Sequence, residues 1–309
     1  MACALHKLGL RKGDRVLLML PRLPAWWELA LGMLRMGVVI VPSTMLLVNK
    51  DIEYRVEAAG VRAFIGNMDS ANQFLKARKV PSCLEFTILV EDYYQPGKPE
   101  KSRFQWLGYQ ELLNEIPEGT KWTGTQFKVE DPSIIYFTSG TTGMPKMVQH
   151  SQISYPFGCV ITGRYWLKLN PGKLYWNMSE QGWAKAAWSF FSAFVLPRPE
   201  SPTDGQNCGA TLFVADIRGA FSTTNTIQYL HDYPITTFCG PPTAYRPLVL
   251  PESAKELQAH PPKALEHCVG AGEPLNPEVI RQWKQLTGLD IRDGYGQVLL
   301  THPTFNQPY

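Results

Sequence analysis

The sequence carries no strong excess of either charge. Its 309 residues include 30 Lys and Arg and 27 Asp and Glu, which gives a formal net charge of +3. No run of five or six like charges occurs, so the charge pattern gives no argument for a nucleic acid partner. Only 18% of the residues are charged and 44% are hydrophobic, which excludes an intrinsically disordered chain. The length predicts about two domains of roughly 150 residues each.

Paired cysteines and long apolar runs are also missing. The six cysteines form no Cys-x-x-Cys pair and none has a His at metal-ligand spacing, so neither a zinc site nor a disulfide framework is indicated. Scattered single thiols are typical of a reducing compartment, and we expect most of them to be buried. The longest apolar stretch, Trp183 to Val195, contains Lys185 and is shorter than the ~20 residues that a membrane span needs. No signal or Arg-rich presequence is recognisable, so we expect no transit peptide in this chain.

The apolar pattern alternates between the periods of a strand and of a helix. Short β-branched runs such as Val38–Val41 predict strands. Between the strands lie helical patterns, of which one begins at Pro24 and stops at Gly37, and another begins after Asn276 and stops at Gly288. Alternating strands and helices with short connections predict an α/β fold in which parallel-sheet layers are covered by helices.

The loops and boundaries follow from turn-forming residues. Segments Tyr94–Ser102 and Pro197–Gln206 are predicted to be surface loops, and a subdomain boundary is expected near residues 120–131. In folds of this class, ligands bind at the carboxyl ends of strands, so the loops that follow strands are the places to search for chemistry.

One such loop follows the apolar residues 133–135. The segment from Tyr136 to Lys146, YFTSGTTGMPK, brings four serine and threonine hydroxyls, two glycines and a lysine together. Glycines let backbone N–H groups approach an anion, hydroxyls can donate to phosphate oxygens, and lysine is a mobile point charge. An exposed turn of small polar residues is the alternative, but a buried strand before all eleven residues disfavours it. The predicted phosphate-binding residues are Thr138, Ser139, Gly140, Thr141, Thr142, Gly143, Met144, Pro145 and Lys146.

The order Thr-Ser-Gly-Thr-Thr-Gly-x-Pro-Lys differs from the mononucleotide-binding loop, because its lysine follows a proline and precedes no hydroxyl residue. It resembles the signature of the AMP-forming adenylating enzymes. Further segments, at residues 11–16, 20–27, 233–239, 242–246, 270–275 and 287–297, resemble medium-chain acyl-CoA synthetases. The resemblance covers nearly the whole chain up to Gln297. It implies the αβαβα large domain of this superfamily, incomplete here and without the small C-terminal domain.

The resemblance also implies ligands and site residues. The loop would hold the β- and γ-phosphates of ATP while a carboxylate attacks the α-phosphate, with Thr138 and Lys146 as candidate catalytic residues. Tyr295 would stack on adenine, although an ordinary core aromatic is the alternative. Trp183 would line the acyl pocket, and a role in the helix core is equally open. The adenine-binding residues implied are Gly272, Glu273, Pro274, Asp293, Gly294, Tyr295, Gly296 and Gln297.

The family motif breaks down after Gln297. The family continues with Thr-Glu, whose Glu helps to hold Mg²⁺, whereas Val298 and Leu299 follow here. Neither side chain can coordinate a hard cation or donate to a phosphate, so the metal site is expected to be incomplete. We therefore expect residues 1–297 to form a partial N-terminal adenylating domain and residues 298–309 a divergent tail, as after alternative splicing.

The expected activity is that of a medium-chain fatty acid:CoA ligase that uses ATP, Mg²⁺ and CoA. Charge stabilisation usually dominates such phosphoryl chemistry, and the loss of one donor can cost ~2.7–4 kcal/mol. We expect weak ATP binding at most and adenylation near background, since the metal Glu, the ribose Asp and the C-terminal Lys are not found. A non-catalytic remnant that binds nucleotide or a partner is the alternative. The resemblance implies the mitochondrial matrix; the sequence predicts no oligomeric state.

Overall fold

The computed structural model describes residues 1–79, 82–99, 102–138, 143–192, 208–296 and 304–305. The chain divides into two compact units. The first consists of Met1–Ser154 with Glu180–Trp183, and the second of Tyr155–Ser179 with Ala184–Tyr309. Residues 120–131, where a boundary is expected from the sequence, connect a helix to a strand inside the first unit.

The first unit is built on a seven-stranded sheet whose order is β5-β4-β3-β1-β2-β6-β7. Every neighbouring pair is parallel except β6 and β7, which form an antiparallel hairpin. The strands are β1 (Arg15–Met19), β2 (Val39–Pro42), β3 (Ala63–Gly66), β4 (Phe86–Leu89), β5 (Trp106–Gly108), β6 (Pro132–Thr138) and β7 (Lys146–Ser151). The helices are α1 (Ala2–Leu8), α2 (Pro24–Met36), α3 (Asn49–Ala58), α4 (Met68–Leu75) and α5 (Tyr109–Asn114).

Helix α2 shows why the sequence specifies these elements. Pro24 occupies the first turn, where its missing N–H costs nothing, and Gly37 ends the helix at φ 72°, a left-handed conformation that glycine adopts without a Cβ clash. The apolar stripe that includes Trp26, Leu29 and Met33 is buried, so the prediction from 3.6-residue periodicity is confirmed.

The second unit has a six-stranded sheet in the order β13-β12-β11-β10-β8-β9. Its pairs are parallel except β12 with β13, where Thr304 and Phe305 pair with Tyr295 and Gly294. The strands are β8 (Leu174–Asn177), β9 (Thr211–Phe213), β10 (Thr237–Gly240), β11 (His267–Ala271), β12 (Ile291–Tyr295) and β13 (Thr304–Phe305). The helices are α6 (Ser154–Ile161), α7 (Thr223–Asp232), α8 (Pro242–Leu248), α9 (Pro251–Ala259) and α10 (Pro277–Thr287), with π-helical turns at Thr162–Trp166 and Trp188–Ser192 and a 3₁₀ turn at Ala184–Ala186.

The α/β fold with mainly parallel sheets is therefore confirmed, although each sheet also carries an antiparallel strand at one end. Helix α10 begins where predicted, because the Asn276 side chain accepts a hydrogen bond from the Glu278 N–H, and Gly288 ends it at φ 76°. The loop at residues 94–99 is largely exposed, whereas the predicted loop Pro197–Gln206 lies outside the described residues.

The cysteines agree with the sequence analysis in most cases. All six are free; Cys159, Cys208, Cys239 and Cys268 are buried, and burial raises the pKa of each of these thiols. Cys3 is partly buried and Cys83 is exposed, so these two are the exceptions. Within the described parts of the chain, no helix has both the length and the apolar character to cross a bilayer.

Candidate functional site

The β6–β7 hairpin carries the predicted phosphate-binding residues. Thr138 ends β6, Lys146 begins β7, and the two are directly opposed in the antiparallel register. The Thr138 hydroxyl donates to the Lys146 carbonyl over 3.4 Å. The connection between the strands is thus closed at its base by a hydroxyl residue and a lysine, and the lysine is exposed to solvent. This is the carboxyl end of β6, where the sequence predicts the phosphate-binding residues.

Only part of the connection is described. Gly143 has φ +100°, and an added Cβ would meet no atom within 4 Å, so conformation rather than space requires glycine there. Met144 is 54% exposed and Pro145 is half-buried. The other predicted loop residues, Ser139, Gly140, Thr141 and Thr142, lie outside the described residues. Gly143, Met144 and Lys146 are exposed to solvent, as residues that contact a ligand must be.

Helix α3 contacts both arms of this hairpin. The Tyr54 hydroxyl donates to the Pro145 carbonyl over 2.7 Å. The Arg55 guanidinium lies 4.9 Å from the centre of the Phe137 ring, and Tyr54 packs edge-on against the same ring. The sequence analysis did not find these two residues. Their only sequence signal is their place in a helix that follows β2, the strand beside β6.

The predicted adenine-binding residues lie at two adjacent parallel strands: Gly272, Glu273 and Pro274 follow β11, whereas Asp293, Gly294 and Tyr295 form the carboxyl end of β12 and Gly296 follows it. We call the residues 271–275 and 293–296 the β11–β12 segment. Asp293 connects its two parts, since Oδ2 accepts from the Leu275 N–H over 3.1 Å. Its Oδ1 is buried and has no hydrogen-bond partner among the described residues, and burial raises the pKa of this carboxyl. A buried acceptor without a donor is a position that an N–H of a ligand can satisfy.

Within the β11–β12 segment, Gly294 is tightly packed and Tyr295 is exposed to solvent. A Cβ added at Gly294 would lie 2.4 Å from Cζ2 of Trp166, so only glycine fits there. Tyr295 is 53% exposed, which argues against the alternative that it is a core aromatic. Gly272 adopts φ +120°, while Glu273 forms a surface ion pair with Arg246 at 3.1 Å. Gln297 lies outside the described residues.

A buried lysine holds the first part of the β11–β12 segment. Lys185 Nζ donates to the Ala271 carbonyl over 2.6 Å and would lie 3.7 Å from a Cβ at Gly272. Burial lowers the pKa of Lys185, and the nearby charge of Asp293 opposes this shift. The sequence analysis noted Lys185 only as an interruption of an apolar stretch. Its partner is 86 residues away, so local pattern could not identify the contact.

Trp183 lies in the short excursion that belongs to the first unit. It is 57% exposed, which contradicts the alternative that it is part of a helix core. Before it, the Glu180 carboxylate accepts from the Thr44 hydroxyl over 2.7 Å and from the Met45 N–H over 2.5 Å. Gly182 passes so close to residues 43–44 that an added Cβ would lie 2.0 Å from the Thr44 nitrogen. Residues 180–182 are therefore held by close contacts with residues 43–45, while the indole of Trp183 is exposed to solvent.

Two positions bear on the expected metal site, Val298 and Leu299. Among the described residues, no group of three or more His, Cys, Asp or Glu side chains is placed to hold a metal ion. Val298 and Leu299, which lie outside those residues, have no oxygen in their side chains. Mg²⁺ requires oxygen ligands, so these two side chains do not fit it.

The first unit carries the β6–β7 hairpin with an exposed lysine, and the second unit carries the β11–β12 segment; these are the features that the resemblance to AMP-forming adenylating enzymes leads us to expect. The model of the AMP-binding enzyme family matches residues 1–301, and the chain belongs to that family. The family expected from the loop motif is thereby confirmed.

Two relatives and one solved structure show which proteins of this family the chain is similar to. The chain is 41% identical over 292 residues to "Acyl-coenzyme A synthetase ACSM4, mitochondrial" of Mus musculus, and 38% identical over 289 residues to "Acyl-coenzyme A synthetase ACSM5, mitochondrial" of Homo sapiens. Each match covers 94% of this chain and 45% of the relative, so the chain spans just under half of their length. The crystal structure of Brucella canis acyl-CoA synthetase superposes with a TM-score of 0.76 at 26% identity, covering all of this chain and 52% of that one.

Proposed function

We propose that this chain binds ATP, with the β6–β7 hairpin as the phosphate site and the β11–β12 segment as the adenine site. The observation that carries the proposal is the register of the hairpin, which sets Lys146 opposite Thr138 at the base of the glycine- and hydroxyl-rich connection. A lysine there is free to follow phosphate oxygens. The unpartnered, buried Oδ1 of Asp293 supports the second half of the proposal, since an adenine amino group is a suitable donor.

The reaction that fits this binding mode is acyl-CoA synthesis. A carboxylate oxygen bonds to the α-phosphorus of ATP while the bond to the bridging oxygen breaks and pyrophosphate leaves. The thiolate of CoA then bonds to the acyl carbon, the bond from that carbon to the bridging anhydride oxygen breaks, and AMP leaves with this oxygen and its electron pair. Medium-chain fatty acids are the proposed substrates, with Trp183 beside the acyl tail. The names of the two relatives support a mitochondrial location.

We expect the phosphate part and the adenosine part of ATP to bind independently of each other. In Lys146→Ala we expect the affinity for tripolyphosphate and for ATP to fall by roughly ten- to a hundredfold, because a charge-assisted hydrogen bond contributes about 1.5–3 kcal/mol. Adenosine should bind as before. Lys255→Ala is the matched control, since Lys255 is an exposed lysine on α9. Calorimetric titration of the whole chain measures all three ligands; equal tripolyphosphate affinity in wild type and Lys146→Ala would reject the phosphate site.

A non-catalytic nucleotide-binding protein is the second candidate, and one observation favours it. Val298 and Leu299 stand where the family signature continues with Thr-Glu, so this chain supplies neither a hydroxyl nor a carboxylate there. The loss of one stabilising group of this kind costs ~2.7–4 kcal/mol, or roughly a hundred- to thousandfold in rate.

Pyrophosphate exchange separates the two candidates. With ATP and octanoate we expect exchange near background from the wild-type chain together with measurable ATP binding. Val298→Thr combined with Leu299→Glu should make ATP binding stronger when Mg²⁺ is added, while the wild type should show little such gain. Rapid exchange by the unaltered chain would reject the impairment and favour the full ligase.

A further inference from the structure

Two consecutive residues of α3 contact the β6–β7 hairpin on its two arms. Tyr54 donates its hydroxyl proton to the carbonyl of Pro145, at 2.7 Å, in the arm that leads into β7. Arg55 lies over Phe137, in the arm that leads out of β6, at 4.9 Å from the ring centre. Successive side chains of a helix differ by about 100° in direction, so neighbours on α3 can reach both arms.

The hydrogen bond of Tyr54 is made to the peptide group that joins the connection to β7. Pro145 is the last residue of the connection, and Lys146 is the first residue paired with β6. The carbonyl of Pro145 and the N–H of Lys146 belong to one planar peptide group, so a bond that fixes the carbonyl also fixes the orientation of that N–H. The direction in which the Lys146 side chain leaves the backbone is then restricted as well.

Arg55 packs against the same hairpin. It is half-buried, and its Nε is buried without a hydrogen-bond partner in the described part of the chain. Burial lowers the pKa of its guanidinium, while Asp51, one turn earlier in α3, acts in the opposite direction. With the ring of Phe137 beneath it, Arg55 packs against this arm, and the hydroxyl of Tyr54 makes a polar contact with Pro145, in the described part of the connection.

We propose that Tyr54 is a positioning residue, whose hydroxyl holds the Pro145 carbonyl and thereby orients Lys146 towards the phosphates of a bound nucleotide. The nucleotide part of this inference rests on the proposed function. Tyr54 itself is not required to touch the ligand. Its contribution is to order the hairpin before binding, which reduces the entropy that the ligand would otherwise have to supply.

The test uses Tyr54→Phe, which keeps the ring against Phe137 and removes only the hydroxyl. Tyr93→Phe is the matched control, because the Tyr93 side chain is 93% exposed and its contact is a ring contact with Tyr94. Amide hydrogen exchange of nucleotide-free protein is measured on peptides that cover residues 143–151. We expect exchange there to be roughly three- to tenfold faster in Tyr54→Phe, as for the loss of one hydrogen bond, and unchanged in Tyr93→Phe.

Binding is measured on the same proteins. Affinity for tripolyphosphate should fall roughly three- to tenfold in Tyr54→Phe, while affinity for adenosine and the melting curve by circular dichroism stay as in the wild type. Arg55→Lys keeps the charge and the Tyr54 bond, so it should change phosphate affinity less than Tyr54→Phe does.

The outcomes are distinguishable. Unchanged exchange in Tyr54→Phe would overturn the positioning role whatever the ligand results are. Faster exchange with unchanged tripolyphosphate affinity would show that the bond orders the hairpin without orienting Lys146, which also overturns the proposal. If the wild-type chain binds no tripolyphosphate, the proposed phosphate site fails, and the nucleotide part of this inference fails with it, while the exchange data still decide whether Tyr54 orders the backbone.

Discussion

Gly143 in the β6–β7 hairpin and Gly294 in the β11–β12 segment differ in what surrounds them. A side chain at Gly143 would meet open space, and the requirement there is the backbone angle φ +100°. At Gly294 the requirement is room, because the ring of Trp166 occupies the position of a Cβ. The first element is shaped by local backbone chemistry and faces solvent. The β11–β12 segment is shaped by packing against distant residues, so substitutions in its surroundings disturb its structure more readily.

From this comparison of the two glycines, we expect the largest change in the free energy of unfolding at Gly294. Gly294→Ala should lower the free energy of unfolding by about 3 kcal/mol, because overpacking forces the indole or the strand to move. Gly143→Ala should cost only about 1 kcal/mol, the strain of an unfavourable φ. Chemical denaturation of both variants gives the two values. Trp166→Phe combined with Gly294→Ala should recover part of the loss; equal costs at the two glycines would break the comparison.

A smaller effect on stability is expected at the buried lysine. Lys185→Met removes the donor to the Ala271 carbonyl, but it also removes the cost of a desolvated ammonium, so stability should change by less than about 1 kcal/mol. Adenosine affinity should nevertheless fall roughly three- to tenfold, because the turn that begins at Ala271 loses its support. Tripolyphosphate affinity is the internal control, and Lys255→Met is the matched variant. A parallel loss of both affinities would contradict a local role.

The smallest effect concerns pH. His267 is buried in β11 with Nε2 2.7 Å from the Trp166 carbonyl, and burial lowers its pKa below the ordinary value of 6.5. The folded state therefore favours the neutral ring, so the stability it contributes is present above about pH 6.5 and is lost as the pH falls through the lowered pKa. The unfolding free energy of wild type should decline more steeply below pH 6.5 than that of His267→Gln. Coincident pH profiles would show that this ring does not titrate on unfolding.

Local signals explain why much of the fold could be predicted from the sequence. Pro24 with Gly37, and Asn276 with Gly288, mark helix ends by backbone chemistry that involves only neighbouring residues. The loop motif is equally local, since its glycines, hydroxyls and lysine are consecutive. Strand β7 was not predicted: it is an end strand of the described sheet with only Val148 and His150 buried, a pattern too short to indicate a strand.

The contacts that hold the β6–β7 hairpin and the β11–β12 segment, which we propose to bind ligand, could not be predicted in the same way. Tyr54 and Pro145 are 91 residues apart, and Lys185 and Ala271 are 86 residues apart. Each pair meets because of the order of strands in a sheet, which no single segment encodes. The one available signal for Lys185 is a cation inside an apolar stretch, since a buried charge needs a partner.

Strand β7 begins with Lys146 and ends the order of strands in its sheet, as far as the described residues extend. The outermost strand of a sheet can recruit a strand from another molecule, and a solvated ammonium on such a strand opposes that pairing because it would have to be stripped of water. The side chain that we assign to phosphate therefore has a second consequence for the empty protein. Lys146 disfavours edge-to-edge pairing between neighbouring copies. Solubility and the proposed phosphate binding therefore both favour a lysine at this position.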